Sequence, residues 1–156
     1  CVCGVGGAKV AEMIPSLPTE VKVLVLQPNL HHGRVRAALA EAGWSLTHER
    51  LTLDGGRLFL TLRASRSSVA PPSQVLSSGV WPEHSALLCA DPLYPLWLWV
   101  HLERERALLS KAVEHTSPQA RAHFDTRRAW AQELSDLLSR ALSSTLTSPP
   151  PADLSC

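Results

Sequence analysis

The chain has 156 residues, 45% of them hydrophobic and 19% charged, which is the composition of a globular protein and excludes a disordered one. Its 15 basic and 14 acidic residues leave a net charge of +1, so no partner is dictated by bulk charge. The longest apolar runs, near Val23–Leu26 and Leu96–Val100, fall far short of the roughly 18 residues that span a bilayer. No basic segment followed by an apolar one opens the sequence, so neither a membrane span nor a signal peptide is expected.

Charge is uneven along the chain. Residues 1–66 carry a balance of +3 and the remainder −2, which places any basic patch in the first part. Four cysteines, at positions 1, 3, 89 and 156, form no CxxC pair. They read as reduced thiols of a cytoplasmic protein. Cys1 and Cys3 with His31 and His32 offer zinc-binding atoms, but not the spacing of a structural zinc knuckle, so no metal is expected.

In chain order, Val2 and Cys3 read as the last residues of a buried strand. Gly4-Val5-Gly6-Gly7 makes a turn, and Ala8–Ile14 a short helix stopped by Pro15 and Pro18. Val21–Gln27, a Val/Leu run broken only by Lys22, has the pattern of a strand buried on both faces. Pro28-Asn29 ends it. A helix follows over 30–42, with Val35, Leu39 and Ala42 on one face and Gly43 as its stop; Asn29 is a good N-cap for it. Trp44–Leu53 alternates as a strand, Asp54-Gly55-Gly56 is a hairpin turn, and Leu58, Leu60 and Leu62 alternate along the return strand.

Residues 67–95, rich in Ser and Pro, form a connector in which Val80-Trp81 and Leu87-Leu88 pack on something. Leu96 to about His115 reads as a helix with Leu98, Leu102, Leu109 and Val113 on one face and Glu103–Arg106 as its charged middle. Ser117-Pro118 is an N-cap and first-turn signal for a second helix, whose apolar stripe is Phe124, Ala131, Leu134, Leu138 and Ala141. The two make a helical hairpin. The expected organisation is a partial α/β domain over 1–66, a connector over 67–95, a helical hairpin over 96–146 and a tail over 147–156.

The helical crossovers imply parallel strands, finished by an antiparallel hairpin at the sheet edge. This α/β arrangement resembles the C-terminal half of a Rossmann-like class I S-adenosylmethionine-dependent methyltransferase sheet. More specifically, Cys3-Gly4-Val5-Gly6-Gly7 resembles the Ala-Gly-Met-Gly-Gly segment of the bacterial tRNA (adenine(22)-N(1))-methyltransferases. Leu24-Val25-Leu26-Gln27-Pro28-Asn29 resembles their Leu-Ile-Leu-Gln-Pro-Asn segment. His31, Val35, Arg36 and Leu39 then fall where that family has His, Ile or Leu, Arg and Leu. The resemblance covers residues 1 to about 66 well and the two-helix segment in outline. Val5 replaces a Met, and Phe59-Leu60 stands where the family has Tyr-Glu.

The resemblance implies methyl transfer from S-adenosylmethionine to N1 of a tRNA adenine, with the C-terminal helices helping to hold tRNA. Gly4, Val5, Gly6 and Gly7 would follow the family's fourth strand, where the target base approaches. Gln27 and Asn29 are the expected catalytic residues, and Pro28, His31, Arg34 and Arg36 join the glycine turn in binding substrate. Gly4–Gly7 is not the cofactor's own glycine loop, because the next strand would then end in an acid for the ribose hydroxyls and instead ends in Gln27-Pro28-Asn29. The cofactor motif is therefore absent from this sequence, and the chain reads as a fragment. The alternative is a catalytically inactive RNA-binding or scaffold remnant of the same fold. In either case an exposed sheet edge at the first strand is expected to favour self-association.

Overall fold

A computed structural model describes residues 1–66, 85–110 and 117–147, with side chains described as far as residue 143. The chain divides into two compact units, Cys1–Leu93 and Tyr94–Cys156.

The first unit holds β1 (Val2–Val5), α1 (Gly7–Met13), β2 (Val23–Pro28), α2 (His32–Glu41), β3 (Ser45–Asp54) and β4 (Arg57–Ser65). The sheet order is β1-β2-β4-β3. β1 runs parallel to β2, and β4 is antiparallel to both β2 and β3. This is an open mixed α/β sheet, as the sequence pattern implies, with one refinement. The return strand β4 lies inside the sheet, and β3 is the edge. Burial explains the order: Leu60, Leu62 and Ala64 of β4 are at most 1% exposed, whereas β3 carries the exposed His48 and Arg50.

α1 and α2 pack together, and Val10, Ile14, Val35 and Leu39 join Leu24, Leu26, Leu60 and Leu62 in the core. β2 is not buried on both faces. Leu24 and Leu26 are buried, but Val23 is 47% exposed and Val25 half-buried. β1 also departs from the buried strand expected, since Cys3 is exposed.

β3 does not alternate strictly. Leu46 opposes Ala64 and His48 opposes Arg63, which leaves Thr47 as an extra residue. The bulge changes the phase of the strand, so Leu46 is buried before it and Glu49 and Leu51 after it. The edge of β3 is partly covered from the connector. A 3₁₀ turn, Ala86–Ala90, buries Leu88 completely and leads to Asp91, whose Oδ2 accepts from the Leu51 amide at 2.9 Å and whose Oδ1 accepts from the Leu93 amide at 2.9 Å. The rest of the predicted connector, including Val80-Trp81, lies outside the described residues, as do Val113 and the tail beyond Thr147.

In the second unit, α3 (Tyr94–Ser110) packs against α4 (Pro118–Thr147). The Ser117 hydroxyl accepts from the Ala120 amide at 3.2 Å, the N-cap that the sequence signals. The expected stripe of α4 is the covered one: Leu134 is fully buried, and Phe124, Ala131, Leu138 and Ala141 are half-buried. On α3 the covered face includes Trp97, Leu98 and Leu102, and also Glu105 from the charged middle of the helix. Glu105 is buried because Arg127 of α4, itself in line with the apolar stripe, pairs with its carboxylate at 2.7 Å. Among the described residues no helix is long and apolar enough to cross a membrane.

Candidate functional site

The sequence-predicted residues other than Arg36 lie along one rim of the sheet, where the parallel strands β1 and β2 both end. Cys3 pairs with Gln27 and Val5 with Pro28, so Gly4 is an extra residue in the β1 ladder. Its φ of +72° explains why glycine stands there, since a side chain is strained in that region. The bulge turns the Gly4 carbonyl toward β2, where Asn29 Nδ2 donates to it at 3.1 Å. The Asn29 amide donates to Val5 O at 3.1 Å, and the Gly7 amide donates to Leu30 O at 3.0 Å. Three hydrogen bonds thus tie the glycine turn to the Gln27–Leu30 segment.

The glycines of the turn do different things. Gly7 opens α1 hard against the neighbouring loop: a Cβ there would collide with Leu30 O and come within 2.9 Å of His31 O. Around Gly4 and Gly6 a Cβ would meet nothing within 4 Å. Gly6 has ordinary extended backbone, φ −62° and ψ 138°, so neither strain nor packing requires glycine at that position. An exposed backbone free of side chains is what lets a flat ring approach closely.

Asn29 does not cap α2. The N-cap is His31, in the left-handed region with φ 60°, and no side chain caps the helix. The His31 carbonyl receives the amides of Arg34 at 3.1 Å and Val35 at 3.2 Å, and its imidazole is exposed at the rim. A non-glycine residue held at positive φ stores strain beside the candidate site. Pro28 is buried, and its carbonyl meets His32 Nε2 at 3.0 Å. A carbonyl only accepts, so Nε2 carries the proton in that bond. His32, 4% exposed, is a support of the Pro28-Asn29 corner that sequence reasoning missed; a second His beside His31 gave no separate signal. Gln27 is half-buried and shares the face of Val23 and Val25.

The two arginines of α2 separate. Arg34 is exposed in the first turn, available to an anion at the rim. Arg36, expected from the sequence to contact substrate, is not on the surface. Its side chain is 8% exposed, with Nε donating to Glu49 Oε1 at 2.7 Å and Nη2 also 2.7 Å from that oxygen; the Glu49 side chain is 0% exposed. That guanidinium is committed to fastening α2 to β3. On the sheet face that carries Val25, β3 and β4 expose His48, Arg50 and Arg63, with Arg63 Nη1 donating to Thr47 Oγ1 at 3.1 Å. Among the described residues no cluster of three or more His, Cys, Asp or Glu side chains could hold a metal ion.

Comparison with known proteins follows the same lines. A family model described as a methyltransferase domain matches residues 1–62. No curated protein matches the chain. Among solved structures, the Bacillus subtilis M1A22 tRNA methyltransferase TrmK superposes with a TM-score of 0.59 at 18% identity, covering 90% of this chain and 61% of that one. Mycoplasma capricolum TrmK, solved with S-adenosyl-homocysteine, gives 0.64 at 10% identity over 87% of this chain and 58% of that one. An uncharacterized Listeria monocytogenes protein gives 0.70 at 15% identity over 88% and 61%. The chain therefore spans about three fifths of the length of these structures. A methyltransferase-domain match over the sheet, with these superpositions over most of the chain, gives it the Rossmann-like fold of the M1A22 tRNA methyltransferases, the family that its glycine turn and Gln27-Pro28-Asn29 strand end resemble.

Proposed function

We propose that this chain acts in S-adenosylmethionine-dependent methylation of N1 of a tRNA adenine, and that it supplies the side of the site that receives the target base. The observation that carries the reading is the hydrogen-bonded junction of the Gly4–Gly7 turn with Gln27–Asn29 at the carboxyl ends of two parallel strands, the place where open α/β sheets bind ligands. The open backbone at Gly4 and Gly6 suits a planar ring. With Nδ2 engaged by Gly4 O, Asn29 offers Oδ1 as an acceptor, matched to the exocyclic amine of adenine. Gln27 offers a second amide at the same rim. Holding that amine by its hydrogens orients the ring and leaves the N1 lone pair uncommitted for reaction. His31 and Arg34 border the rim and suit the phosphates on either side of the base.

The described residues fit the base better than the cofactor. S-adenosylmethionine is the methyl donor in this class of reaction, but β2 ends without the acid that would hold its ribose, and no glycine loop followed by such an acid occurs among the described residues.

The test is methylation of a tRNA transcript by the whole gene product, followed by digestion to nucleosides. The expected product is 1-methyladenosine. Asn29→Ala is expected to lower turnover on the order of 100-fold with tRNA affinity unchanged, as for loss of a group that acts on the reacting base. A methyl group on another atom, or full activity in Asn29→Ala, refutes the reading. Binding of tRNA with no methyl transfer leaves the RNA-binding remnant instead.

A further inference from the structure

The buried residues of β2 and β4, Leu24, Leu26, Leu60, Leu62 and Ala64, all lie on one face of the sheet. The opposite face is cationic. His48 stands directly opposite Arg63, and Arg50 opposes Thr61, one alternation nearer the rim. Arg50 is thus on the diagonal from Arg63, about 7 Å away. All three side chains are exposed, and the single acid that the four strands place on this face, Asp54, sits at the hairpin end opposite Arg57. Cations set side by side with no carboxylate between them repel, which costs stability. Among the described residues His48 and Arg50 make no hydrogen bond or ion pair. Arg63 Nη1 donates to the neutral Thr47 hydroxyl at 3.1 Å, which fixes the guanidinium without neutralising it. The bulge at Thr47 creates the cluster. Without the extra residue, the Leu46–Ala64 register would set Thr47 against Arg63 and turn His48 and Arg50 to the buried face.

We propose that this face of β3 and β4 is a contact surface for the phosphate backbone of an RNA strand, bound through Arg50 and Arg63 with His48 beside them. It rests on the reading of the rim as the site of a tRNA base, and it adds a surface which that reading does not use. A guanidinium presents a planar fork of N–H donors that meets a phosphate two oxygens at a time, and it is more weakly hydrated than an ammonium. Neither Arg50 nor Arg63 has a carboxylate to give up on binding. The cluster is also placed to follow on from the base. Val25 opposes Arg63, and Gln27 comes two residues after Val25 on the same face, so one track leads from the rim over β4 to β3. A strand whose base is held at the rim carries a charge at every further nucleotide, which is what a run of unpaired cations along that track suits.

The experiment is tRNA filter binding by the whole gene product over a salt series, together with arginine-selective phenylglyoxal labelling read by mass spectrometry. Arg50→Ala with Arg63→Ala is expected to weaken binding about tenfold and to make the plot of log affinity against log salt shallower by about 1.4–1.8 units, for two phosphate contacts. Arg50→Lys with Arg63→Lys keeps both charges and is expected to retain the parent's slope. Lys22→Ala removes an exposed cation just before β2, away from the cluster, and is expected to bind as the parent does. Phenylglyoxal is expected to label Arg50 and Arg63 in the free protein, and saturating tRNA to protect both. An unchanged slope in the double alanine variant, a comparable loss in Lys22→Ala, or arginines unreactive before tRNA is added would each overturn the proposal. So would arginines that tRNA leaves fully reactive, the result expected if the partner is an acidic protein instead. Formation of 1-methyladenosine with an unchanged slope removes this surface alone; slope loss and protection without 1-methyladenosine remove the proposed reaction and leave this surface standing.

Discussion

Replacing Gly7 and Gly6 by alanine separates packing from recognition within one turn. At Gly7 the new methyl group runs into the Leu30 carbonyl and within 2.9 Å of the His31 carbonyl. Both are backbone atoms in a loop fixed by the Gly7–Leu30 and Asn29–Val5 hydrogen bonds, so neither can swing away as a flexible side chain would. Overpacking of this kind costs about 1–3 kcal/mol, and pushing Leu30 away also loses the 3.0 Å hydrogen bond, about another 1 kcal/mol. Better helix propensity returns at most ~1 kcal/mol. The net expectation for Gly7→Ala is a loss of about 2 kcal/mol, which at an m-value of about 2 kcal/mol/M moves the urea midpoint down by about 1 M. At Gly6 the same methyl group meets nothing and the backbone is already in an allowed region. Gly6→Ala should match the parent or exceed it by up to ~1 kcal/mol through the unfolded chain, while impairing methyl transfer because the ring's approach is blocked. Urea unfolding, followed by circular dichroism and by amide exchange at Leu26 and Leu62, measures both variants. If Gly7→Ala unfolds with the parent, or Gly6→Ala falls as far as Gly7→Ala, the division of labour within the turn is wrong.

Removing either member of the Arg36–Glu49 pair, by Arg36→Met or Glu49→Leu, should destabilise the first unit by about 3–5 kcal/mol, and the double variant should recover most of that loss. The double variant should also keep its tRNA affinity, and a drop in filter binding would return Arg36 to the RNA surface. Asp91→Ala leaves the Leu51 amide without its acceptor, which should cost about 1–3 kcal/mol and raise hydrogen exchange at that amide selectively; unchanged exchange would mean that Asp91 does not hold the connector on β3. Arg34→Ala should weaken tRNA binding and make the plot of log affinity against log salt shallower by close to one unit, and an unchanged slope removes Arg34 from the phosphate contacts.

The elements and their order were legible because their signals are local. Val and Leu runs, the Gly43 stop, the Asp54-Gly55-Gly56 turn and the Ser117 cap each act within a few residues. What escaped depends on partners far along the chain. Asn29 is a good N-cap by residue type, but its amide is taken by Gly4, 25 positions earlier, so His31 begins α2 instead. Arg36 reads as a surface cation until Glu49 is brought beneath it by the phase change at Thr47, and no alternation rule foresees a bulge. Glu105 similarly sits in a run of charges and is buried only because Arg127 interrupts an otherwise apolar stripe on the opposite helix.

The same contrast decides which part of the rim is specific. Gly7 and His32 have structural explanations in full: one admits the Leu30 carbonyl, the other holds Pro28. Gly6 and the Oδ1 atom of Asn29 have none in the described fold, since the first could bear a side chain without strain or collision and the second has an exposed acceptor at the end of a strand. Residues whose identity packing does not require, placed beside a backbone that packing holds firmly, are where a ligand's demands show. On the function proposed above, that pattern assigns contact with the base to Gly6 and to Asn29 Oδ1, and leaves Gly4, required by its positive φ, with Gly7, His32, Arg36 and Glu49 as the frame that keeps them in place.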